Sequence, residues 1–452
     1  MTMNTTTGSN LRSGLRLTGA AMLAFATAAC GILGGSDKPR TPTVGERIPV
    51  LSRIESGAVA DPSLASVSVI LPPAAANNDF AQPSGSASNA YGHLALGANP
   101  APAWTAQIAG STNKARLASS PVIGGGRMFA FDTAGTVHAF DAATGAPVWR
   151  KRYNVSGDGE GAEFGGGVSY NAGRVYLTTG VGEVAALDAN TGDELWRVKP
   201  AGPLRGAPTL AFNSVFVMTQ NNEIYALDIA TGGVQWFESG AVGQAGVFGV
   251  AAPAAAQGTV IAGYSSGELA AYRYENGRQL WGDALARTSV STSVGTITDI
   301  DADPIIDQGR VYALGQGGRM AAYELVTGQR IWELNLGGIS TPAVAGEWIF
   351  TLTSDSQLLA IQRSTGKVKW VVDLPAFRNM EDEKDPIYWT GPVLAGDRLW
   401  LANSEGQLAY ASVVDGSLAY LADLDPKVSL PPIVANNTLY VLDDSGTIRA
   451  FR

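Results

Sequence analysis

The sequence predicts an all-β fold, an eight-bladed β-propeller, from three observations: an aromatic-spaced repeat, alternating strand patterns inside each unit, and glycine at fixed turn positions. Trp104, Trp149, Trp196, Trp236, Trp281, Trp332 and Trp370, with Tyr420 in the eighth place, define units of 38 to 51 residues. Periods in this range mark propellers and solenoids. Upstream of the aromatic lies an Asp-x-x-Thr-Gly pattern: Asp141, Thr144 and Gly145; Asp188, Thr191 and Gly192; Asp228, Thr231 and Gly232. Later units keep the glycine four residues before the aromatic, at Gly277, Gly328, Gly366 and Gly416.

Each unit is read as four strands in order. A short apolar strand near a proline (Pro121, Pro208, Pro342, Pro392) opens it. An alternating run follows, such as GRVYLTT from Gly173, GRVYALG from Gly309 or NTLYVLD from Asn437, and period-two alternation marks half-buried strands. A second run such as TVHAFD or EIYALD leads into the Asp-x-x-Thr-Gly turn, and the fourth strand carries the aromatic. Four strands per unit make a propeller blade. In the turn, glycine permits positive φ while Asp and Thr hydrogen-bond the backbone. The aromatics, Tyr420 included, are expected as wedges between blades. The last unit stops at Arg452 without an aromatic strand, so the strand around Trp104 is expected to complete the eighth blade beside 431–452 and leave no open edge.

The composition supports a large core: 452 residues, 45% hydrophobic and 16% charged. Net charge is -9, which argues against a nucleic-acid partner. At the N-terminus, Arg12 and Arg16 precede a mostly apolar stretch from Leu17 to Ala29, the layout of a signal peptide. That stretch is too short to span a bilayer, which takes about 20 residues. Thr27-Ala28-Ala29-Cys30-Gly31 resembles the lipobox of bacterial lipoproteins, in which the cysteine is acylated and becomes the new N-terminus. Cys30 is the chain's one cysteine, so it has no internal disulfide partner, and its position favours lipidation. By resemblance to enteric lipoprotein sorting, Gly31 after the cysteine implies the outer membrane. The expected organisation is therefore signal peptide 1–29, lipidated and largely irregular tether 30–100, and propeller 101–452. Within the tether, Ile48 to Ile54 and Val67 to Leu71 are each expected either to add a short strand or to lie along the domain surface. With His93 and His138 as the two histidines, no histidine metal site is expected, and no cofactor.

The Asp-x-x-Thr-Gly-x-x-x-Trp pattern resembles the repeat of pyrroloquinoline-quinone-type propellers. Over roughly residues 101–452, with the lipobox and eight repeats, the chain resembles the BamB family of lipoproteins in the β-barrel assembly machinery. That resemblance implies a non-enzymatic scaffold, monomeric within a hetero-complex, anchored to the outer membrane and facing the periplasm. Its implied partner is a BamA-like barrel protein. The segment Thr298-Asp299-Ile300-Asp301-Ala302-Asp303-Pro304 is similar to an Asp-x-Asp segment that family members use to contact BamA, which makes Asp299 and Asp301 candidate partner-binding residues. The Leu-Arg-Gly segment of the family before the fourth blade appears here as Gly246-Val247-Phe248-Gly249, so Val247, Phe248 and Gly249 are further candidates without the arginine.

The long insertions, 154–164, 241–248, 288–303 and 376–389, all join the aromatic strand of one unit to the first strand of the next. In an up-down blade they emerge on one side, and elaborated loops usually carry function. The plainer reading of Asp299, Asp301 and Asp303 is turn and strand capping. A calcium loop is disfavoured, because Pro304 and Arg310 stand where such a loop needs Gly and Glu. The acidic run 381–385 is read as a solvated loop, with contact to a basic partner as the alternative. Gly157 to Gly167 lacks the Lys-Ser/Thr of a phosphate loop and carries acids.

Two other functions are weighed. Quinoprotein alcohol dehydrogenases share the repeat, but typically use an adjacent cysteine pair, a calcium ion and an aspartate base, and this chain has no second cysteine. An anchored propeller of another envelope complex, or a sensor, remains open because the fold hosts many functions.

Overall fold

The computed structural model describes residues 58–153, 165–200, 202–204, 206–241, 251–285 and 299–452. Cys30, the signal-peptide segment, Ile48 to Ile54 and Val247-Phe248-Gly249 lie outside the described residues.

Each repeat folds into a four-stranded antiparallel sheet, giving eight blades. Blade 1 comprises Val122–Gly124, Arg127–Phe131, Thr136–Asp141 and Pro147–Arg152. Blades 2 to 7 begin at Gly166–Asn171, Thr209–Ala211, Ala254–Ala256, Ile305–Asp307, Ala343–Ala345 and Trp389–Ala395. First strands of neighbouring blades approach one another and line the central channel. The second strands are sandwiched between two neighbouring blades, so they read as continuous apolar runs, and Ser214–Met218 is buried at every position. Fourth strands lie at the rim and are half exposed, as in Val234–Ser239.

Ring closure is as the sequence predicts. Blade 8 takes three strands from the C-terminus, Ile433–Ala435, Thr438–Leu442 and Thr447–Phe451, and its fourth from Pro102–Gln107, with Trp104 opposite Ala450. The same pairing recurs around the ring. Ala139, Ala186, Ala226, Ala271, Ala322 and Ala360 stand opposite Trp149, Trp196, Trp236, Trp281, Trp332 and Trp370, and Ala409 opposite Tyr420. A register shift beside each pair inserts an extra residue in the aromatic strand. Such a bulge re-aims a side chain, and a methyl across the sheet leaves room for an indole.

The indoles tie one blade to the next. Trp149, Trp196, Trp236, Trp281, Trp332 and Trp370 donate Nε1–H to the carbonyls of Ala189, Ile229, Tyr274, Leu325, Arg363 and Val413 in the following blade. Tyr420 departs from this expectation: half of it is exposed. In blade 8 the third-to-fourth-strand turn is replaced by two separate chain segments, Arg452 and Ala101, which exchange backbone hydrogen bonds. No glycine turn exists there for an aromatic to cover.

The segment read as a tether is described from residue 58. It is irregular apart from the 3-10 turns Pro62–Leu64 and Pro83–Gly85 and isolated β-bridges at Ala75, Phe80 and Leu94. It is not slack, however. Val67, Val69 and Leu71 lie along blades 6 and 7, and Phe80, Leu94 and Leu96 are buried in the main core cluster. His93 is buried too. It is positioned with Nδ1 against the Pro72 carbonyl at 2.8 Å and Nε2 accepting the Asp397 amide at 3.0 Å, which fits a neutral ring with its proton on Nδ1. It serves as a structural linker.

Candidate functional site

Up-down blades have two unlike ends. Hairpins between first and second strands and the Asp-x-x-Thr-Gly turns lie on one face, called here the turn face. Connectors between blades and the hairpins between second and third strands lie on the other, the connector face.

On the connector face the channel opens as a cavity of about 620 Å³, within the size range of ligand pockets. Its walls are the residues just before each first strand, among them Arg116 and Lys427 from the blade 8 and blade 1 side and Asp301 and Asp303 from the opposite side. Phe80, Gln82, Pro83, Ser84 and Tyr91 form its floor.

The structure sends the three aspartates of the 298–304 segment different ways. Asp299 is 1% exposed, and its carbonyl accepts the Gln316 amide at 2.8 Å, so it is set into the seam between blades 4 and 5. Ile300 beside it is also buried and packs over Gly263, where a Cβ would stand 2.5 Å from the Ile300 side chain. Asp303 is a junction: it accepts hydrogen bonds from Ser84 Oγ at 2.9 Å and the Ala252 amide at 2.8 Å, while its own amide donates to Thr341 Oγ1 at 3.0 Å. Burial raises its carboxyl above the usual range against those bonds. Asp301 lines the cavity, and its Oδ2 has no hydrogen-bond partner among the described residues. Burial, and then the charge of Asp299, push its carboxyl up to about 7. Both Asp301 and Asp303 line the cavity; the turn-and-strand-capping role falls to Asp303, and Asp301 is the one whose Oδ2 has no hydrogen-bond partner among the described residues. The pair Asp299 and Asp301 is not presented together to solvent.

The 376–389 insertion forms an exposed hairpin, Phe377–Asn379 with Lys384–Pro386, between blades 6 and 7. Asn379 Oδ1 accepts the amides of Glu381 and Asp382 and so shapes the acidic turn. Arg378 pairs with Glu405 and Lys384 with Asp382. Met380 and Tyr388 are more than half exposed near it. Among the described residues no cluster of three or more His, Cys, Asp or Glu is arranged to hold a metal ion.

The floor was not foreseen. Its signal in the sequence is brief: Phe80-Ala81-Gln82-Pro83-Ser84-Gly85 places one aromatic and one glutamine in an otherwise small-residue stretch. Ser84 and Gly85 have φ of 53° and 86°, so the chain turns back there. A Cβ on Gly85 would meet Tyr91 at 3.0 Å and the Phe80 ring at 3.1 Å, so only glycine fits between them.

Comparison with known proteins gives a consistent picture. A family model described as "Outer membrane protein assembly factor BamB" matches residues 95–162 and 133–372. The protein of that name from Yersinia pestis is 26% identical over 358 residues, covering 78% of this chain and 89% of that one. The crystal structure of BamB from Moraxella catarrhalis aligns with a TM-score of 0.63 at 20% identity, covering 77% of this chain and 99% of that one. Quinohemoprotein alcohol dehydrogenase from Comamonas testosteroni aligns with a TM-score of 0.65 at 14% identity, over 84% of this chain and 81% of that one, a likeness of fold.

Proposed function

Since the chain belongs to the BamB family of outer membrane protein assembly factors, we propose that it is a non-enzymatic scaffold lipoprotein of outer-membrane protein assembly. Cleavage of 1–29 and acylation of Cys30 anchor it to the outer membrane on the periplasmic side, where two or more acyl chains hold stably. Its connector face docks the periplasmic part of a BamA-like barrel subunit.

One observation supports this face above the other: the 299–304 segment is rigidly mounted there, tied to blades 4, 5 and 6 and to the channel floor through Asp303. A binding element held by packed neighbours loses little freedom on association. Asp301 is the carboxylate that meets the partner, Asp299 sets the segment into its seam, and the Val247-Phe248-Gly249 connector extends the contact. The dehydrogenase reading gains no observation from the shared fold, since the chain has one cysteine in all and none to pair with it.

The test is affinity purification of C-terminally tagged protein from mildly solubilised envelopes, comparing wild type with Asp301→Lys and with Asp299→Asn. Recovery of a BamA-like barrel protein with wild type, and its loss with the folded Asp301→Lys variant, is expected. Absence of such a protein from the wild-type sample would sink the assembly reading, and equal recovery with Asp301→Lys would move the contact elsewhere.

A further inference from the structure

Residues 77–96 make a circuit of the channel. Asn77 meets blade 8, its carbonyl accepting the Asn436 amide at 2.8 Å and its Nδ2 donating to the Val434 carbonyl at 2.7 Å. Phe80 exchanges backbone bonds with Ile123 of blade 1 in both directions, at 2.9 and 2.8 Å. The Ala81 carbonyl accepts the Tyr170 amide of blade 2 at 2.7 Å. Gln82 then treats blade 3 as a strand would, but with its side chain: Oε1 accepts the Leu210 amide at 2.8 Å and Nε2 donates to the Leu210 carbonyl at 3.0 Å. The carbonyls of Ala87 and Ser88 accept the amides of Ala255 in blade 4 and Ile306 in blade 5. Asn89, 2% exposed, donates to the Pro304 carbonyl at 2.9 Å, and Leu94 both donates to Leu394 and accepts from Gly396 of blade 7.

Ile123, Tyr170, Leu210, Ala255 and Ile306 hold the same position, the last but one of each first strand. In five successive blades, then, one equivalent amide on the inner strand edge is satisfied by this segment. An unpaired strand edge is a template for another chain, and five of them converge on one channel. The strands of the ring are complete without the segment, since every blade has four and closure is made by Pro102–Gln107, which follows it in sequence; the segment adds Phe80, Leu94 and Leu96 to the core. Between Pro72 and Asn99 there is no Lys or Arg and one acid, Asp79, and the prevailing residues are Ala, Ser, Asn and Gly, which pass through a narrow bore.

We infer that the inner strand edges of the ring form a binding site for an extended, small-residue polypeptide, and that residues 77–96 are its resident ligand in cis, sealing the channel from the turn face. The ligand is separable from the ring. With it seated the channel is a blind cavity open on the connector face; with it withdrawn the bore is open from end to end.

The test uses the full chain with a specific protease site inserted between Gly97 and Ala98, where the backbone is exposed. After cleavage the N-terminal fragment is expected to co-elute with the ring in gel filtration at micromolar concentration. Intermediate urea should release it while the near-ultraviolet circular dichroism of the blade tryptophans persists, and dilution should restore binding. Gln82→Ala with Asn89→Ala should weaken retention by about a hundredfold, roughly tenfold for each side chain removed. Immediate loss of the cleaved fragment from a folded ring would overturn the inference, as would collapse of the tryptophan signal together with release. In the uncut chain, the same double variant should speed hydrogen exchange at Ile123, Leu210 and Ala255 while leaving second-strand amides unchanged. Unaltered exchange at those three positions would also overturn it.

Discussion

The indole of Trp149 lies over Gly192 of the next blade so closely that a Cβ on the glycine would stand 2.7 Å from the ring, and the same relation joins Trp196 to Gly232 and Trp370 to Gly416. Gly192 has φ of 75°, which a side chain adopts with strain. Gly192→Ala therefore meets two penalties together, a left-handed backbone and a collision with a ring that is hydrogen-bonded in place. We expect a loss of about 2–4 kcal/mol, measured by urea unfolding. A loss under about 0.5 kcal/mol would show that the indole yields freely.

Trp370→Ala and Tyr420→Ala separate the wedge from its look-alike. Trp370 is 7% exposed and donates to Val413, whereas Tyr420 is half exposed and faces no turn. The first variant should lose about 3–5 kcal/mol and the second less than about 1 kcal/mol. Similar losses in thermal or urea unfolding would contradict the account of blade 8.

Arg363 is 3% exposed and spends its guanidinium on four acceptors: Asp307 Oδ2 at 2.7 Å, the Tyr312 hydroxyl, and the carbonyls of Gly346 and Asp307. Arg363→Ala strands those groups and should cost about 3–5 kcal/mol. Arg363→Lys should recover less than half of that, because an ammonium cannot reproduce the planar fork. Chemical denaturation of the two variants side by side decides the point.

Asp301 makes stability depend on pH. Its carboxyl, near 3.9 in an unfolded chain, is pushed up to about 7 in the fold. Between those values the folded state holds a proton that the unfolded state has lost, so this group's contribution is fully present below about 4 and disappears as pH rises through about 7. Asp301→Asn should flatten that decline, leaving the variant more stable than wild type at pH 8 and nearly equal at pH 4. Parallel melting curves at the two pH values test it, and a difference that grows toward acid would refute the sign.

Much of the ring was legible because its rules are local. Aromatic spacing, Asp-x-x-Thr-Gly turns and period-two runs each act within a few residues, and the closing role of Trp104 followed from a missing aromatic strand at the other end. Tyr420 misled because its neighbour in space, blade 8, lacks the turn that every other aromatic covers, a fact about chain ends that spacing does not carry. The alanine facing each aromatic was visible in TVHAFD and EIYALD, yet it gains meaning only once register is known. The 298–304 segment stood out along the chain by its three aspartates, but which carboxylate is buried depends on how Tyr264, Gln316 and Ser84 approach it from three other parts of the sequence. The channel segment was the hardest to read, since its partners are backbone amides and its residues are small, and neither leaves a periodic trace.

The pairing of Pro102–Gln107 with Thr447–Phe451 also sets a timetable. The first propeller strand to leave the ribosome finds its place beside the last, more than three hundred residues later, and loop-closure entropy must be met before that contact gives anything back. Until then blade 8 lacks its outer strand, and the Thr447–Phe451 edge, once formed, lies open to any stray strand. An edge left open until synthesis ends is a site for wrong pairing, and once the strand is seated, opening of the ring is expected to begin at the seam of Pro102–Gln107 with Thr447–Phe451.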